Sequence, residues 1–367
     1  MDAVALARGV ELVESWPGMA QLCVLRHGET VLDLSVRCEP DTLFLLWSTG
    51  KPLTAVAVHL LAERGLLDLD EPVCRYWPQY ARGGKEKVTV RHVLQHMSGA
   101  PLSTGSIIGD ALAMPSWRLS VRAAEYAKQK SPAGTVSTYH VLSYGFILGE
   151  LVRRVDGRPI GEFCRTELFE PAGLHDTYVG LPGNLWPRRA PLESPPKTRP
   201  HNVTGDQLKM AMFMFDRKPV RTAVVPAANV HATARDIAKF YQLLLDDGEA
   251  DGGVRVFDPK TIAEARRPAV SDREPTPDPI IGHPVRWAQG FQLGWGGSAV
   301  TTAQPFGITA GREVFGHNGS NYCNAWADPD NGLVFVYLTN LVAPREEALR
   351  HQTELSDAIR AAAGDLV

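Results

Sequence analysis

The 367-residue chain carries no excess of charge of either sign: 38 lysines and arginines face 41 aspartates and glutamates, a formal net charge of −3. That balance argues against a nucleic-acid binder or a polybasic membrane protein, either of which needs a positive field. Cysteine is scarce and shows no pairing pattern. Cys23, Cys38, Cys74, Cys164 and Cys323 are scattered, odd in number and contain no CxxC, which suits a reducing compartment better than an oxidising one. Long apolar runs are missing too. Stretches such as Leu43–Trp47 span five residues, far short of the roughly 18 a membrane helix needs. The opening MDAVALARGVELVE has an acid at position 2 and charges every few residues, unlike the basic start and apolar run of a secretory signal. No G-x-S-x-G occurs, so the α/β-hydrolase nucleophile elbow has no support. The expectation is a cytoplasmic globular enzyme, long enough to bury a substantial core without a structural metal.

Two apolar runs, Gln21–Leu25 and Val31–Val36, flank Arg26-His27-Gly28-Glu29-Thr30 and predict a hairpin. Leu43–Trp47 leads into a helix that starts close to Ser48, has Pro52 in its first turn and ends at Gly65. The middle third leans helical, over Val90–Met97, Val121–Gln129, Tyr139–Val155 and Ile160–Leu168. Leu181–His201, rich in Pro and Arg, reads as a long loop, and Thr233–Leu245 as an amphipathic helix. Strand patterns return at Trp287–Leu293, Asn324–Ala327 and Val334–Leu338, before a closing helix from about Glu346 to Ala362. Strand-rich ends around a helical middle suggest a sheet domain with a helical insert. The expected division is an α/β domain from residues 1–75 and 225–367, with 76–224 mainly helical.

Ser48-Thr49-Gly50-Lys51 is an S-x-x-K motif. On a helix the i, i+3 relation puts both side chains on one face. A lysine beside a serine hydroxyl in a desolvated pocket can lose its proton near neutral pH and activate the nucleophile. The helix N-terminus adds partial positive charge where an oxyanion would form. A second match, Ser194-Pro195-Pro196-Lys197, lies in the Pro-rich loop, which cannot fix a geometry. Two further segments accompany the first match. Tyr139-His140-Val141-Leu142-Ser143-Tyr144-Gly145 opens the predicted long helix, and Phe315-Gly316-His317-Asn318-Gly319-Ser320 precedes a strand-like run.

With these three motifs in this order, over about residues 20 to 340, the chain resembles the penicillin-recognising serine hydrolases. It is most like their class C β-lactamase-like branch, with its family VIII-type esterases and related acyltransferases. Leu66–Pro72, Val88–Pro101 and Pro226–Phe240 contribute softer similarity. The resemblance implies an α/β, β-lactamase/D,D-peptidase-like fold: an antiparallel sheet flanked by helices, a mainly helical region, and an active site in the cleft between them. It implies Ser48 as the acylated nucleophile, Lys51 as its partner, Tyr139 as the proton shuttle and His317 at the head of the third motif. The Tyr139 role calls for a lowered phenol pKa, which two adjacent cations would supply. The oxyanion would sit on the backbone N–H groups of Ser48 and Ser320. His140, Trp295, Asn318 and Gly319 are further candidates for substrate contact. No metal or cofactor is implied; the partner is a small-molecule ester or amide.

Two departures from the pattern narrow the chemistry. The third position of the second motif, Asn in β-lactamases and D,D-peptidases, is Val141, which has no hydrogen-bonding side chain. His317 stands where many relatives have Lys, which weakens a positive patch for a substrate carboxylate at pH 7. Both point toward esters. The expected activity is therefore a carboxylesterase acting through acyl-Ser48, the alternatives being an acyltransferase, a β-lactamase or a D-amino-acid peptidase.

Rival motifs exist. Arg26-His27-Gly28-Glu29-Thr30 resembles a histidine phosphatase signature, but that reading leaves the Ser48 and Tyr139 contexts unexplained. His92 and His96 have zinc-like i, i+4 spacing without the accompanying Glu. Met210–Phe215 is either core or a flexible pocket wall. A non-catalytic binding protein on this fold would be marked by loss of Lys51 or Tyr139, and both are present.

Overall fold

The computed structural model describes residues 1–195, 212–269, 276–296, 304–320 and 322–364. Among these described residues the strands are β1 (Ala20–Arg26), β2 (Glu29–Val36), β3 (Phe44–Leu45), β4 (Thr177–Val179), β5 (Val230–Ala232), β6 (Glu249–Ala250), β7 (Val254–Arg255), β8 (Gln292–Leu293), β9 (Phe315–Gly319), β10 (Cys323–Asp328) and β11 (Leu333–Thr339). The main sheet has six strands in the order β2-β1-β11-β10-β9-β8, and every ladder in it is antiparallel. The predicted hairpin forms, joined at His27 (φ +50°) and Gly28 (φ +82°). Two positive φ values in succession suit the twist of a tight hairpin.

Alternation along the central strands divides the core. Leu333, Phe335 and Tyr337 face one apolar cluster with Leu22, Val24 and Trp326, while Val334, Val336 and Leu338 face the other with Cys23 and Leu25. Such two-sided burial requires a layer on each face. Helices Ala3–Ser15 and Arg345–Ala362 supply one layer; Ala234–Leu245, capped by the Thr233 side chain, lies on the other. The first of these helices has no counterpart in the sequence reading. Its single N-cap, Asp2, precedes a weakly amphipathic segment that is secured by packing on the closing helix.

Beyond this second layer, helix Lys51–Glu63 is buried from Lys51 through Leu61, as its nearly unbroken apolar sequence demands. It packs on helix Ser143–Asp156. Two predicted boundaries shift. The helix expected from Tyr139 starts at Ser143, leaving Tyr139 in the preceding loop. Trp287–Leu293 is strand only at Gln292–Leu293, because Gly290 turns the chain back so that Trp287 bridges Gln292. Within the predicted loop 181–201, Gly183–Arg188 forms a 3-10 helix, and the part beyond 195 lies outside the described residues.

Candidate active site

Ser48 sits in a 3-10 turn, Trp47–Gly50, at the entry to helix Lys51–Glu63. Close backbone approach fixes this turn. A Cβ on Gly50 would lie 2.7 Å from Val230 Cγ2, and one on Gly319 would lie 2.3 Å from the Leu46 carbonyl. Gly319 therefore lets β9 pass directly beside the serine turn, a packing role; it does not line the cleft. Trp47, immediately before Ser48, has φ +52°, a conformation costly for a bulky residue and held by the surrounding packing.

Lys51 is fully buried. Its Nζ lies 3.0 Å from Ser48 Oγ, 2.9 Å from the Val141 carbonyl and 3.0 Å from the Ala227 carbonyl. Burial pushes its pKa well below the usual lysine value. A neutral amine fits these three neighbours: two N–H groups go to the two carbonyls, and the lone pair is left to accept the Ser48 hydroxyl proton. Val141 thus serves the site through its backbone, which its side-chain type does not reveal.

Tyr139 shares a hydrogen bond with Ser48, and Lys51 Nζ stands 4.8 Å from its ring centre. Its phenol pKa is raised by burial, contrary to the lowered value expected from the sequence. The reason is that the two supposed cations are not available as charges. Lys51 is driven toward the neutral form, and burial pushes His317 down to about 3. Burial thus favours the protonated hydroxyl of Tyr139 and the neutral amine of Lys51.

His317 lies on β9 behind the cleft lining, 6.2 Å from Tyr139 and 5.8 Å from Trp287 between ring centres. Its Nδ1–H donates to the Asn318 carbonyl at 2.7 Å, and its Nε2 has no partner among the described residues. His140 does not reach the cleft. It is fully buried, donates from Nδ1 to the Thr138 carbonyl and accepts at Nε2 from Ser98. The expected substrate contact by His140 is thereby replaced by a loop-holding role.

The cleft itself has a volume of about 370 Å³. Ser48, Tyr139, Trp295, Asn318 and Ser320 all line it, together with Val141, so five of the sequence candidates converge although their positions span residues 48 to 320. Ile280, Ile281, Val285, Leu293 and Phe306 make much of the remaining wall apolar. Sequence reasoning missed Asp278 and Trp287. Trp287 stacks on Tyr139 at 5.5 Å with the rings nearly parallel, and Asp278 Oδ2 accepts the Tyr139 N–H at 2.7 Å. Nothing in the sequence pointed to the pairing of Asp278 with the Tyr139 N–H, 139 residues away.

The rival motifs settle elsewhere. His27 is in the exposed hairpin turn, away from the cleft. His92 completes a capping box with Thr89, and His96 Nδ1 accepts the His140 N–H. Met212, Met214 and Phe215 pack into the core rather than lining the cleft, while Met210 and Ala211 lie outside the described residues, as do Pro196 and Lys197 of the second S-x-x-K match.

A buried Ser–Lys pair beside a tyrosine, in a cleft at the edge of a helix-covered antiparallel sheet, is the site of a β-lactamase-fold serine hydrolase. The chain belongs to the Beta-lactamase family, whose model matches residues 11–358. Among curated relatives it is 28% identical over 355 residues to the esterase/beta-lactamase LipL of Mycobacterium tuberculosis, covering 89% of this chain and 78% of that protein. Among solved structures, a penicillin-binding protein homologue from Caulobacter crescentus superposes with a TM-score of 0.79 at 27% identity, covering 98% of this chain and 97% of the other. A family VIII carboxylesterase superposes at 0.77, also at 27% identity, covering 96% and 98%. These likenesses establish the fold, including its antiparallel sheet and helices, and the serine-hydrolase class. Among the described residues no helix is long and apolar enough to cross a membrane.

Proposed function

We propose that the protein is a carboxylesterase that turns over small-molecule esters through an acyl-Ser48 intermediate. The observation that carries this reading is the environment of Lys51: buried, pushed toward the neutral amine, with its two N–H groups on the Val141 and Ala227 carbonyls and Ser48 Oγ at 3.0 Å. Neutral Lys51 takes the Ser48 proton as Oγ attacks the ester carbonyl, and the resulting oxyanion is held by the backbone N–H groups of Ser48 and Ser320. Tyr139, protonated because its pKa is raised, gives its proton to the departing alkoxide and is reprotonated by the Lys51 ammonium. Water then attacks the acyl-enzyme with the same groups acting in reverse.

Esters are preferred over β-lactams because the cleft offers little to a charged, amide-bearing ligand near the serine. Val141 presents a side chain without hydrogen-bonding groups, and His317 is neutral and buried. The family VIII carboxylesterase is an esterase by its name, and LipL is named both esterase and beta-lactamase, which supports ester turnover. The test is a p-nitrophenyl ester assay with mass spectrometry of the trapped acyl-enzyme. A burst and an adduct on Ser48 are expected, with activity abolished in Ser48→Ala. Full activity in Ser48→Ala would sink the mechanism, and nitrocefin turnover matching ester turnover would overturn the substrate preference.

A further inference from the structure

One wall of the cleft is carried by the segment from Asp278 to Trp287, through Ile280, Ile281, His283, Pro284 and Val285, and this segment is physically tied to Tyr139 at two points. Ile280, Ile281 and Val285 pack in one cluster with Tyr139, Trp287 and Ala269. At its start stands Asp278, nearly inaccessible to solvent. One carboxylate oxygen, Oδ2, accepts the Tyr139 N–H at 2.7 Å; the other, Oδ1, accepts the N–H groups of Ile280 and Ile281 at 2.8 and 3.0 Å. The segment closes on itself as well, the Asp278 N–H donating to the His283 carbonyl and the Gly282 N–H to the Asp278 carbonyl. A single carboxylate therefore holds both the tyrosine backbone and the turn that presents the apolar wall.

We infer that Asp278 is a positioning residue that couples the apolar wall to Tyr139, so that the same bond network sets acyl-group binding and the proton-transfer geometry. The inference rests on the proposed role of Tyr139. Its physical basis is directional. Tyr139 lies in a loop before the helix at Ser143, so no helical hydrogen bond fixes its N–H, and Asp278 is the acceptor that does so. A displacement of about 1 Å at a proton-transfer group is enough to cost orders of magnitude in rate. An acyl chain that seats against Ile280 and Ile281 presses on the turn held by Oδ1, while Oδ2 of the same rigid group holds Tyr139.

The two oxygens can be separated experimentally. In Asp278→Asn the side-chain carbonyl oxygen still accepts from Ile280 and Ile281, whereas the amide nitrogen faces the Tyr139 N–H and cannot accept from it. Steady-state kinetics are measured with p-nitrophenyl acetate, whose single methyl offers little apolar surface to the wall, and p-nitrophenyl octanoate. Asp278→Asn is expected to lower kcat about tenfold or more on both esters while leaving the octanoate KM near wild type. Asp278→Ala is expected to lower kcat equally and, in addition, to raise the octanoate KM, because the turn is released. A residue that merely shaped the wall would change the octanoate KM and leave the acetate kcat untouched, so wild-type acetate kcat in Asp278→Asn overturns the inference. Should Asp278→Asn melt below the assay temperature, Asp278→Glu, which keeps charge and both acceptors on a longer arm, is judged by the same acetate kcat. Tyr139→Phe separates the two readings. If Tyr139→Phe is fully active, the role of Tyr139 itself fails. If it is slowed, the double variant with Asp278→Asn must be no slower than Tyr139→Phe alone, and an additional loss overturns the coupling.

Discussion

Lys51 and Lys85 are both shut off from solvent, yet their surroundings make different species of them. Lys85 Nζ donates to three backbone carbonyls, those of Arg82, Glu125 and Ala127, and the charges of Glu86 and Glu125 favour its protonated form. Burial still brings its pKa down to about 8, which leaves an ammonium at neutral pH. Three acceptors for three N–H donors make it a clip between the turn after Tyr80 and the end of helix Trp117–Tyr126. Among the described residues Lys51 meets two carbonyls, and its third neighbour is a hydroxyl with a proton to give. Desolvation is what moves its pKa, with no carboxylate among the described residues set against it. Burial alone does not create a base; burial with one acceptor fewer and no counter-charge does.

The largest expected effect comes from exchanging each lysine for an apolar residue of similar length. Lys51→Met is expected to lower kcat/KM for p-nitrophenyl butyrate by about 10⁴-fold or more, the scale on which members of a nucleophile–base unit fail, without loss of fold. Lys85→Met is expected to do the reverse. It leaves three carbonyls without this donor, of which the buried one of Ala127 costs about 1–3 kcal/mol, so the urea midpoint falls while kcat at assay temperature holds. Equal activity losses in the two variants would erase the distinction.

The pH dependence sharpens it. Ser48 needs the neutral amine, so kcat/KM falls as pH drops through the lowered Lys51 pKa, and this acidic limb must persist unchanged in Lys85→Met. For stability the sign is set by proton counts. Between the lowered folded pKa and the ordinary value of 10.5, unfolded Lys51 holds a proton that the folded form lacks, so stability rises with pH across that window. Buried histidines act likewise at lower pH. His59, His140 and His351 are pushed to about 4 and His317 to about 3, from 6.5. Stability is therefore expected to fall as pH drops below about 6.5 toward 4, and His351→Phe, at a residue that does not line the cleft, should flatten that fall in acid-titrated urea melts. Stability independent of pH across this range would contradict the buried neutral imidazoles.

The smallest expected effect is at Val141. Its carbonyl, not its side chain, holds Lys51, so Val141→Asn is expected to keep ester kcat within a few-fold and to raise the nitrocefin-to-ester ratio by less than about tenfold. A collapse of ester turnover would show that the side chain shapes the Lys51 cradle.

Local pattern carried further in some parts of the chain than in others. The hairpin at Arg26–Glu29, the helix ending at Gly65 and the Thr233-capped helix were legible because turn residues, a terminal glycine and a capping threonine act over a few residues. β9, Phe315–Gly319, was not read as a strand, since FGHNG lacks β-branched residues and is strand only by lying between β8 and β10. The start of the helix at Ser143 was misplaced for a related reason. Tyr139–Leu142 has helical spacing, but the Tyr139 and His140 N–H groups are taken by Asp278 and His96 from elsewhere in the chain.

What the sequence determined by itself is the inventory of reactive groups and their order: Ser48 and Lys51 three residues apart, Tyr139 next, His317 last, in a chain with balanced charge and scattered cysteines. Side-chain chemistry and short-range spacing are written directly in residue identity. What only the tertiary structure decided is the protonation state of those groups and the company they keep. The sequence pattern suggested cations lowering the Tyr139 pKa; the folded chain instead raises it and drives Lys51 and His317 toward their neutral forms. A pKa depends on desolvation and on charges brought within a few ångströms, and both arise only when segments as distant as residues 51, 141, 227 and 278 are packed together.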